Sequence, residues 1–486
     1  MKEIQNQDIK ESDALKKESK LKSQWFIMDI EGNLHTFEEF KFKGHEKLKI
    51  FSGYEVNKDR TVLAESLHIA AMRKLELADN EPASDSGNLR YYPKGRLIKS
   101  LIEQFVTKKV SEYGGAEIET PIMYDMNHPC LASYLNRFPA RQYQMTSDDR
   151  QFFFRFAACF GDFLMLKDAQ ISYKHLPFKV YEMTRYSFRR EQKGELTGLR
   201  RLRAFTMPDC HALCSDFDQA KEEFNVRLKL CLDTQEAFGL GREDFELAVR
   251  VTKDFYENNK EFVQGIVKKF GKPALIEMWE ERIFYFVLKY EFNFVDSLNK
   301  ASALSTDQID VENGKQYGIV YTDSHGEKKN PIILHCSPSG AVERVMYAVL
   351  EKQMMRAKIG KPASFPLWLA PTQVRIISIA ENNIPYCLKV MEKLRNGNIR
   401  VDLDDRDITL NNKIRRAEQE WIPYIIVLGD KEEQDSLFSL RKREEKFSTR
   451  ISSEILIKEI SEQTQGRPFM QLSLPQKLSL RPIFTS

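Results

Sequence analysis

FRREQKGELTGLRRLRAFTMPDCH, residues 188–211, reads as the end of one strand, a turn carrying Lys193, Gly194 and Gly198, and the start of a second strand. Extended outward, the two strands are FKVYEMTRYSFRRE (178–191) and RLRAFTMPDCHALC (201–214). Arginines stand at 189, 190, 200, 201 and 203 around the turn. Side chains alternate along a strand, so Arg201 and Arg203 share one face, and Arg189 and Glu191 share another. Arginine grips phosphate oxygens with a planar fork where lysine offers only a point charge. Phe205 falls on the face of Arg203 and could stack on a base. The same pattern also fits a solvated basic hairpin with Glu191 and Glu195 as ion-pair partners.

Working outward, KGRLIKSLIEQFVTKKVSEYGG (94–115) has helical apolar spacing and ends in Gly114-Gly115. AEIETP (116–121) reads as a strand stopped by proline. A helix is expected at about 216–238, followed by a less regular insert. ALSTDQIDV and PIILHC read as further strands, and GAVERVMYAVLEK (340–352) as a helix. Its start could welcome an anion beside Arg344, or the helix could be an ordinary amphipathic one. Strands, hairpins and intervening helices predict an antiparallel sheet in an α+β domain. Before it, residues 25–58 suggest short strands, 59–78 a helix and 78–88 a linker. The first two dozen residues read as a charged arm. After it, 357–372 reads as a proline-spotted linker. RIISIA, a helix near 384–396, IRVDLDD, a helix at 411–421 and PYIIVLG then alternate as a smaller α/β domain. The tail after 464 is expected to wrap a surface.

Composition sets bounds. The 486 residues are 42% hydrophobic and 30% charged, enough for sizeable cores, and a net charge of only +3 does not announce a nucleic-acid binder but leaves open one whose basic residues are clustered. Seven cysteines without a CxxC pair argue against a disulfide framework and for a reducing cytoplasm. Neither a membrane-spanning run nor a secretory signal is legible.

Three motifs in fixed order carry a resemblance: helix–strand–Pro121, FRRE-loop-RxF, and GxxxR on a helix. This order resembles class II aminoacyl-tRNA synthetases. RYYPKG, FRFAACFGDFLMLKDA, KYEFNFVDSLNKASALSTDQIDVEN, ILHCSPSGAVER and APTQVRIISI…VDLDDRDITLNNKIRRAEQEWIPYIIVLGDKE narrow it to the archaeal-type threonyl enzymes. The resemblance implies an α+β fold: an antiparallel-sheet class II catalytic domain over 88–358, followed by a smaller α/β anticodon-binding domain over 370–486. Residues 1–80 would then be an extension or connecting segment without a full editing domain. It implies an ATP-dependent ligase that makes threonyl-adenylate and transfers the threonyl group to the 3′ end of tRNA(Thr).

The site residues follow from the same resemblance. Cys159, His211 and His335 would hold one zinc, whose open positions take threonine's amino group and hydroxyl and so reject valine. Spacing alone leaves that choice open, because Cys210, Cys214 and Cys336 sit beside these three. Arg189 would hold the α-phosphate, Arg201 and Arg344 the γ-phosphate, Glu191 the adenine amino group, and Phe205 would stack on adenine. Mg²⁺ would accompany ATP. Asp209 would orient the threonine ammonium, with Lys289, Thr306 and Gln308 lining the pocket and Arg189, Arg344 and Lys289 as the catalytic set. Arg406, Asp407, Glu432 and Arg441 would read the anticodon. Met207-Pro208 departs from the bacterial pattern and matches the archaeal one. A homodimer is implied, as is a separate protein that hydrolyses Ser-tRNA(Thr). A prolyl- or seryl-type enzyme is the rival within the class and would not need the Cys/His/His set; a tRNA-binding paralogue without activity is the rival outside it.

Overall fold

The computed structural model describes residues 23–57, 64–135, 142–191, 193–445 and 447–485. The expected N-terminal arm lies almost wholly outside them. The chain forms two compact units: Met1–Ala64 with Val106–Val345, and Glu65–Phe105 with Met346–Ser486.

The first unit is built on a ten-stranded sheet. Its strands run in the order Leu34–His35, Ser23–Met28, Ala274–Trp279, Phe245–Thr252, Phe286–Val295, Ala301–Asp310, Ile332–Ser337, Ala204–Cys214, Phe178–Phe188 and Ala116–Glu117. Pairing is antiparallel except between Phe245–Thr252 and Ala274–Trp279 and at the Ala116–Glu117 edge. Helix Phe217–Ala237 packs on strands Ala301–Asp310, Ile332–Ser337 and Ala204–Cys214. It is capped by the Asp216 carboxylate, which accepts from the Gln219 N–H.

Several local expectations change. The stretch after that helix is no irregular insert: Phe245–Thr252 and Ala274–Trp279 are central strands, joined through helices Lys253–Asn258 and Lys260–Phe270. Both strands are almost entirely buried, and a strand covered on both faces shows no polar–apolar alternation to read. Residues 25–58 hold only Ser23–Met28 and Leu34–His35 as strands before helix Glu46–Asn57. The helix expected over 59–78 is confined, among the described residues, to Leu67–Lys74, and the linker after it begins with strand Ala78–Asn80 paired to Leu89–Tyr91.

The second unit carries a five-stranded sheet in the order Val401–Asp404, Val374–Ser378, Tyr424–Leu428, Phe438–Lys442, Thr449–Ile451. The first three strands are parallel and the last two antiparallel. Helices Ile384–Asn396 and Leu410–Gln419 lie close to the expected positions, and helix Ser453–Gln463, which was not expected, follows the last strand. The α+β reading of the larger unit and the α/β reading of the smaller both hold.

Candidate active site and metal centre

Sheet register gathers the site. Lys289 lies opposite Gln308, Gln308 opposite His335, and His335 opposite His211. One step along the same face, Glu291 lies opposite Thr306 and Thr306 opposite Ser337, with Asp209 two residues from His211. Side-chain alternation puts these two rows on one face. It sends Tyr290, Asp307, Cys336 and Cys210, also paired across the strands, to the reverse face against helix Phe217–Ala237. There Arg227 lies 3.1 Å from Asp307 and the Cys231 sulfur 3.6 Å from that of Cys336. The cysteines that made the ligand choice ambiguous are therefore excluded by the pleat.

The third ligand arrives on helix Cys159–Asp168. The helix start seats closely: a Cβ at Gly161 would fall 2.3 Å from the Tyr124 hydroxyl and 2.4 Å from Thr120 Oγ1. Cys159 Sγ lies 3.3 Å from His211 Nε2 and 3.6 Å from His335 Nδ1, and the three donor atoms all lie within 4.8 Å of one another. The two imidazoles use opposite nitrogens because a carboxylate holds the other one. Asp162 meets His211 Nδ1 at 2.7 Å, and Asp310 meets His335 Nε2 at 2.7 Å. Carboxylates in that position fix ring orientation and raise ligand basicity at metal centres. Neither aspartate was legible as functional, although Asp162 stands three residues after Cys159 on one helix face and Asp310 two residues after Gln308 on one strand face.

Electrostatics agree. Burial pushes the Cys159 thiol up, but the His211 and His335 rings outweigh it and hold the thiol below its ordinary value. Burial pushes His211 and His335 down, yet Cys159 with Asp162, and Asp310 with Cys159, raise both above theirs. The cluster draws positive charge between its donors. A thiolate and two imidazoles fit a divalent transition metal with an open position.

A cavity of about 620 Å³ opens over this face, lined by Cys159, His211, His335, Asp209, Lys289, Thr306, Gln308 and Arg189. Tyr285 also lines it; its ring lies 5.2 Å from that of His335 and its hydroxyl donates to Gln308 at 2.7 Å. Thr184 donates to Asp209 at 2.9 Å, and burial pushes that carboxyl up to about 6.

A second cavity of about 180 Å³ shares Arg189, Met207, Lys289, Glu291, Thr306 and Gln308 with the first and adds Glu191, Phe205 and Arg344. The Arg189 guanidinium lies over the Phe205 ring at 5.4 Å. Arg344 donates to the carbonyls of Arg200 and Ala303, both at 3.1 Å. The preceding turn needs Gly340, which has φ +71° and stands so close to Leu304 that a Cβ would meet its carbonyl oxygen at 2.4 Å. Glu343, buried beside Arg344, accepts from the Thr206 N–H at 2.9 Å. Burial, with Arg189 and Arg201 nearby, pushes Arg344 down to about 10.

The hairpin differs from its expected form. Its strands stop at Phe188 and restart at Ala204, so Arg201 and Arg203 do not lie on a strand face of their own. Arg201 instead grips the Glu191 carboxylate through two nitrogens, at 2.8 and 3.1 Å, and Glu195 at 3.1 Å. Arg203 donates to the Glu191 backbone carbonyl. The turn is wide enough to fold back on itself, and ion pairing replaces alternation.

In the second unit, Arg406 and Asp407 follow strand Val401–Asp404, and Glu432 follows Tyr424–Leu428, at the same end of parallel strands. Arg406 is held by Asp404 at 2.6 and 2.8 Å. Arg441 stands apart: it lies opposite Ile425, toward the start of Tyr424–Leu428, and pairs with Glu418 at 2.8 Å.

Comparison with known proteins agrees with this architecture. Residues 143–353 match the class II core domain of tRNA synthetases (G, H, P, S and T), and 373–463 match the anticodon binding domain. The threonine–tRNA ligase of Thermococcus sibiricus is 56% identical over 472 residues, covering 97% of this chain and 76% of that protein. That of Pyrococcus horikoshii is 56% identical over 475 residues, and that of Nitrosopumilus maritimus 54% over 471, each covering 97% of this chain and 76% of the relative. Among solved structures, the RNA binding domain of threonyl-tRNA synthetase from Cryptosporidium parvum superposes with a TM-score of 0.71 at 22% identity, covering 82% of this chain and 98% of that one. The prolyl-tRNA synthetase of the same organism gives 0.64 at 16% identity, covering 83% and 80%, so these two speak for the fold. With more than half its residues shared along nearly its whole length, and both domain signatures in place, the chain belongs to the threonine–tRNA ligase family of class II aminoacyl-tRNA synthetases.

Proposed function

We propose that this protein activates L-threonine with ATP and transfers the threonyl group to tRNA(Thr), with Cys159, His211 and His335 holding a zinc ion. The observation that carries the reading is that three donor atoms within 4.8 Å of one another share a cavity with Arg189, Asp209 and Lys289. Zinc, when bound, would supply a Lewis acid whose open positions take the amino group and hydroxyl of threonine together. Valine lacks the second donor, and a site built around a hydroxyl rejects such an analogue strongly.

The chain's own residues do the rest. Asp209 orients the ammonium, while Thr306, Gln308 and Lys289 line the amino acid's pocket. Arg189 faces the α-phosphate, where charge develops as the threonine carboxylate attacks and the bond to pyrophosphate breaks. Arg344 and Arg201 hold the γ-phosphate, and Mg²⁺ accompanies the nucleotide. Adenine stacks on Phe205 and donates its amino group to Glu191. For this, Arg201 must exchange Glu191 for phosphate, since the two are paired in the structure. Positioning and charge neutralisation dominate such a step.

The domain assignment is 1–80 as connecting segment, 88–358 as catalytic domain and 370–486 as anticodon-binding domain. Arg406, Asp407 and Glu432 would read anticodon bases from one end of the sheet, with Arg441 outlying. A homodimer, cytoplasmic location and hydrolysis of Ser-tRNA(Thr) by a separate protein complete the proposal. No helix among the described residues is long and apolar enough to cross a membrane.

Pyrophosphate exchange across the standard amino acids, with metal analysis of the same sample, tests the reading. Strong exchange with threonine, some with serine and little with valine is expected, with one zinc per chain. His335→Ala should abolish threonine activation and release the metal; retained exchange would remove the metal from the mechanism. Rapid deacylation of Ser-tRNA(Thr) by this polypeptide would end the separate-editing proposal.

A further inference from the structure

The tail after helix Ser453–Gln463 is tied into the second unit by specific polar contacts. The Leu403 N–H donates to the Gln476 carbonyl at 2.9 Å, and Leu403 bridges Lys477 in the parallel sense. The tail thus adds to Val401–Asp404, the outermost strand of the five-stranded sheet, and covers an edge that would otherwise expose unpaired backbone. Ser479 then donates to Asp405 twice, from its N–H at 3.0 Å and its Oγ at 2.7 Å. Arg481 donates to Asp402 at 2.9 Å and to the Pro475 carbonyl at 2.7 Å. Beyond it, the Phe484 N–H donates to Glu76 at 2.8 Å, and Thr485 Oγ1 to the Arg73 carbonyl at 3.1 Å.

These contacts close a circuit of alternating charge. Asp402, buried, takes two nitrogens of Arg375 at 2.8 and 3.0 Å. Arg375 reaches Glu420 at 2.9 Å, Glu420 takes Lys94 at 3.2 Å, and Lys94 takes Glu76 at 3.1 Å. The tail joins its two ends, with Arg481 on Asp402 and the Phe484 N–H on Glu76.

Covering a sheet edge needs only backbone. Here the side chains go to Asp402 and Asp405, on either side of Asp404, and Asp404 grips Arg406. The segment bearing Arg406 and Asp407 is therefore held by Asp404 within its own strand and by Ser479 through the neighbouring Asp405.

We propose that residues 476–485 are a strap that preorganises the anticodon-reading segment, with Ser479 and Arg481 as positioning residues for tRNA selection. This rests on the anticodon role proposed for Arg406 and Asp407. Unpaired loop bases are read by a few hydrogen bonds, and a reader held in place before contact loses less conformational freedom on binding. Releasing the strap should weaken tRNA capture and leave threonine activation alone, because activation uses no tRNA.

The test compares Ser479→Ala, Arg481→Met, Asp405→Asn and Arg406→Ala in the full chain, measuring threonine-dependent pyrophosphate exchange and aminoacylation of tRNA(Thr). Ser479→Ala removes one hydroxyl and is the mild variant should Arg481→Met fold poorly. The expected result is a KM for tRNA raised about tenfold in the tail variants, with exchange unchanged. Ser479→Ala and Asp405→Asn should be non-additive, since both alter the Ser479–Asp405 contact. If Arg406→Ala raises that KM and the tail variants do not, the strap is overturned and the anticodon reading stands. If none of the four changes charging, the anticodon reading fails and the strap with it. If exchange falls in step with charging, the tail only stabilises the fold and the proposal is overturned.

Discussion

In the larger unit Arg189 and Arg344 line one cavity, and Arg344 is pushed down to about 10, first by burial and then by Arg189 and the nearby Arg201. In the smaller unit Arg375, more deeply buried still, sits between Asp402 and Glu420; despite burial, these pairings hold the arginine well above its ordinary value and both carboxyls below theirs. In one place burial and like charge outweigh the nearby carboxylates; in the other the carboxylates outweigh burial. Arg201 has Glu191 and Glu195 as partners there, so the proposed hold on the nucleotide requires a phosphate to displace a carboxylate. Alternating charges with every fork filled leave nothing to bind and serve as scaffold.

Four substitutions or conditions break or sharpen this contrast, in falling order of effect. Arg375→Met leaves Asp402 and Glu420 facing each other without their common partner. It should cost about 3–5 kcal/mol of stability, read by urea unfolding, while threonine-dependent exchange below the transition is unchanged. Arg344→Ala should do the reverse, lowering kcat/KM for ATP by about 10²–10³-fold with stability unchanged or improved. A large stability loss from Arg344→Ala would erase the contrast. Asp162→Asn keeps the shape beside His211 but removes a charge, and should weaken metal binding about 10–100-fold in a chelator competition. The smallest effect is on acid stability. Asp402 and Glu420 are depressed in the folded state, so their contribution is full above their unfolded values near 4 and is lost as pH falls below that. Urea unfolding followed by tryptophan fluorescence should find Glu420→Gln less stable than the parent at neutral pH, with the difference shrinking as pH falls through 4.

The candidate site was named through the family resemblance, and much of that resemblance rests on motif residues that are local. Arg189, Glu191, Phe205, Asp209 and His211 fall within one 24-residue stretch, and Arg344 stands nine residues after His335. What was not legible depended on pairing or on burial. Asp162 and Asp310 acquire meaning only where the imidazoles meet them. Tyr285 gains its place from the neighbouring strands. Phe245–Thr252 and Ala274–Trp279 passed as irregular because full burial erases the alternation by which strands are recognised. The expected Arg201–Arg203 face is absent because the strands end at Phe188 and restart at Ala204, and Arg201 turns to the Glu191 carboxylate.

By itself, then, the sequence determined the α+β and α/β character of its two regions, many of their elements and the chemical types available: forked cations, a thiol, imidazoles and carboxylates. These depend on local periodicity and on side-chain chemistry, which a linear chain carries in full. Only the tertiary structure decided which cysteine meets which histidines, which carboxylate turns each ring, and where charge is left unbalanced. Those outcomes depend on sheet register and on the pleat, which sends residue 211 to one face and residue 210 to the other.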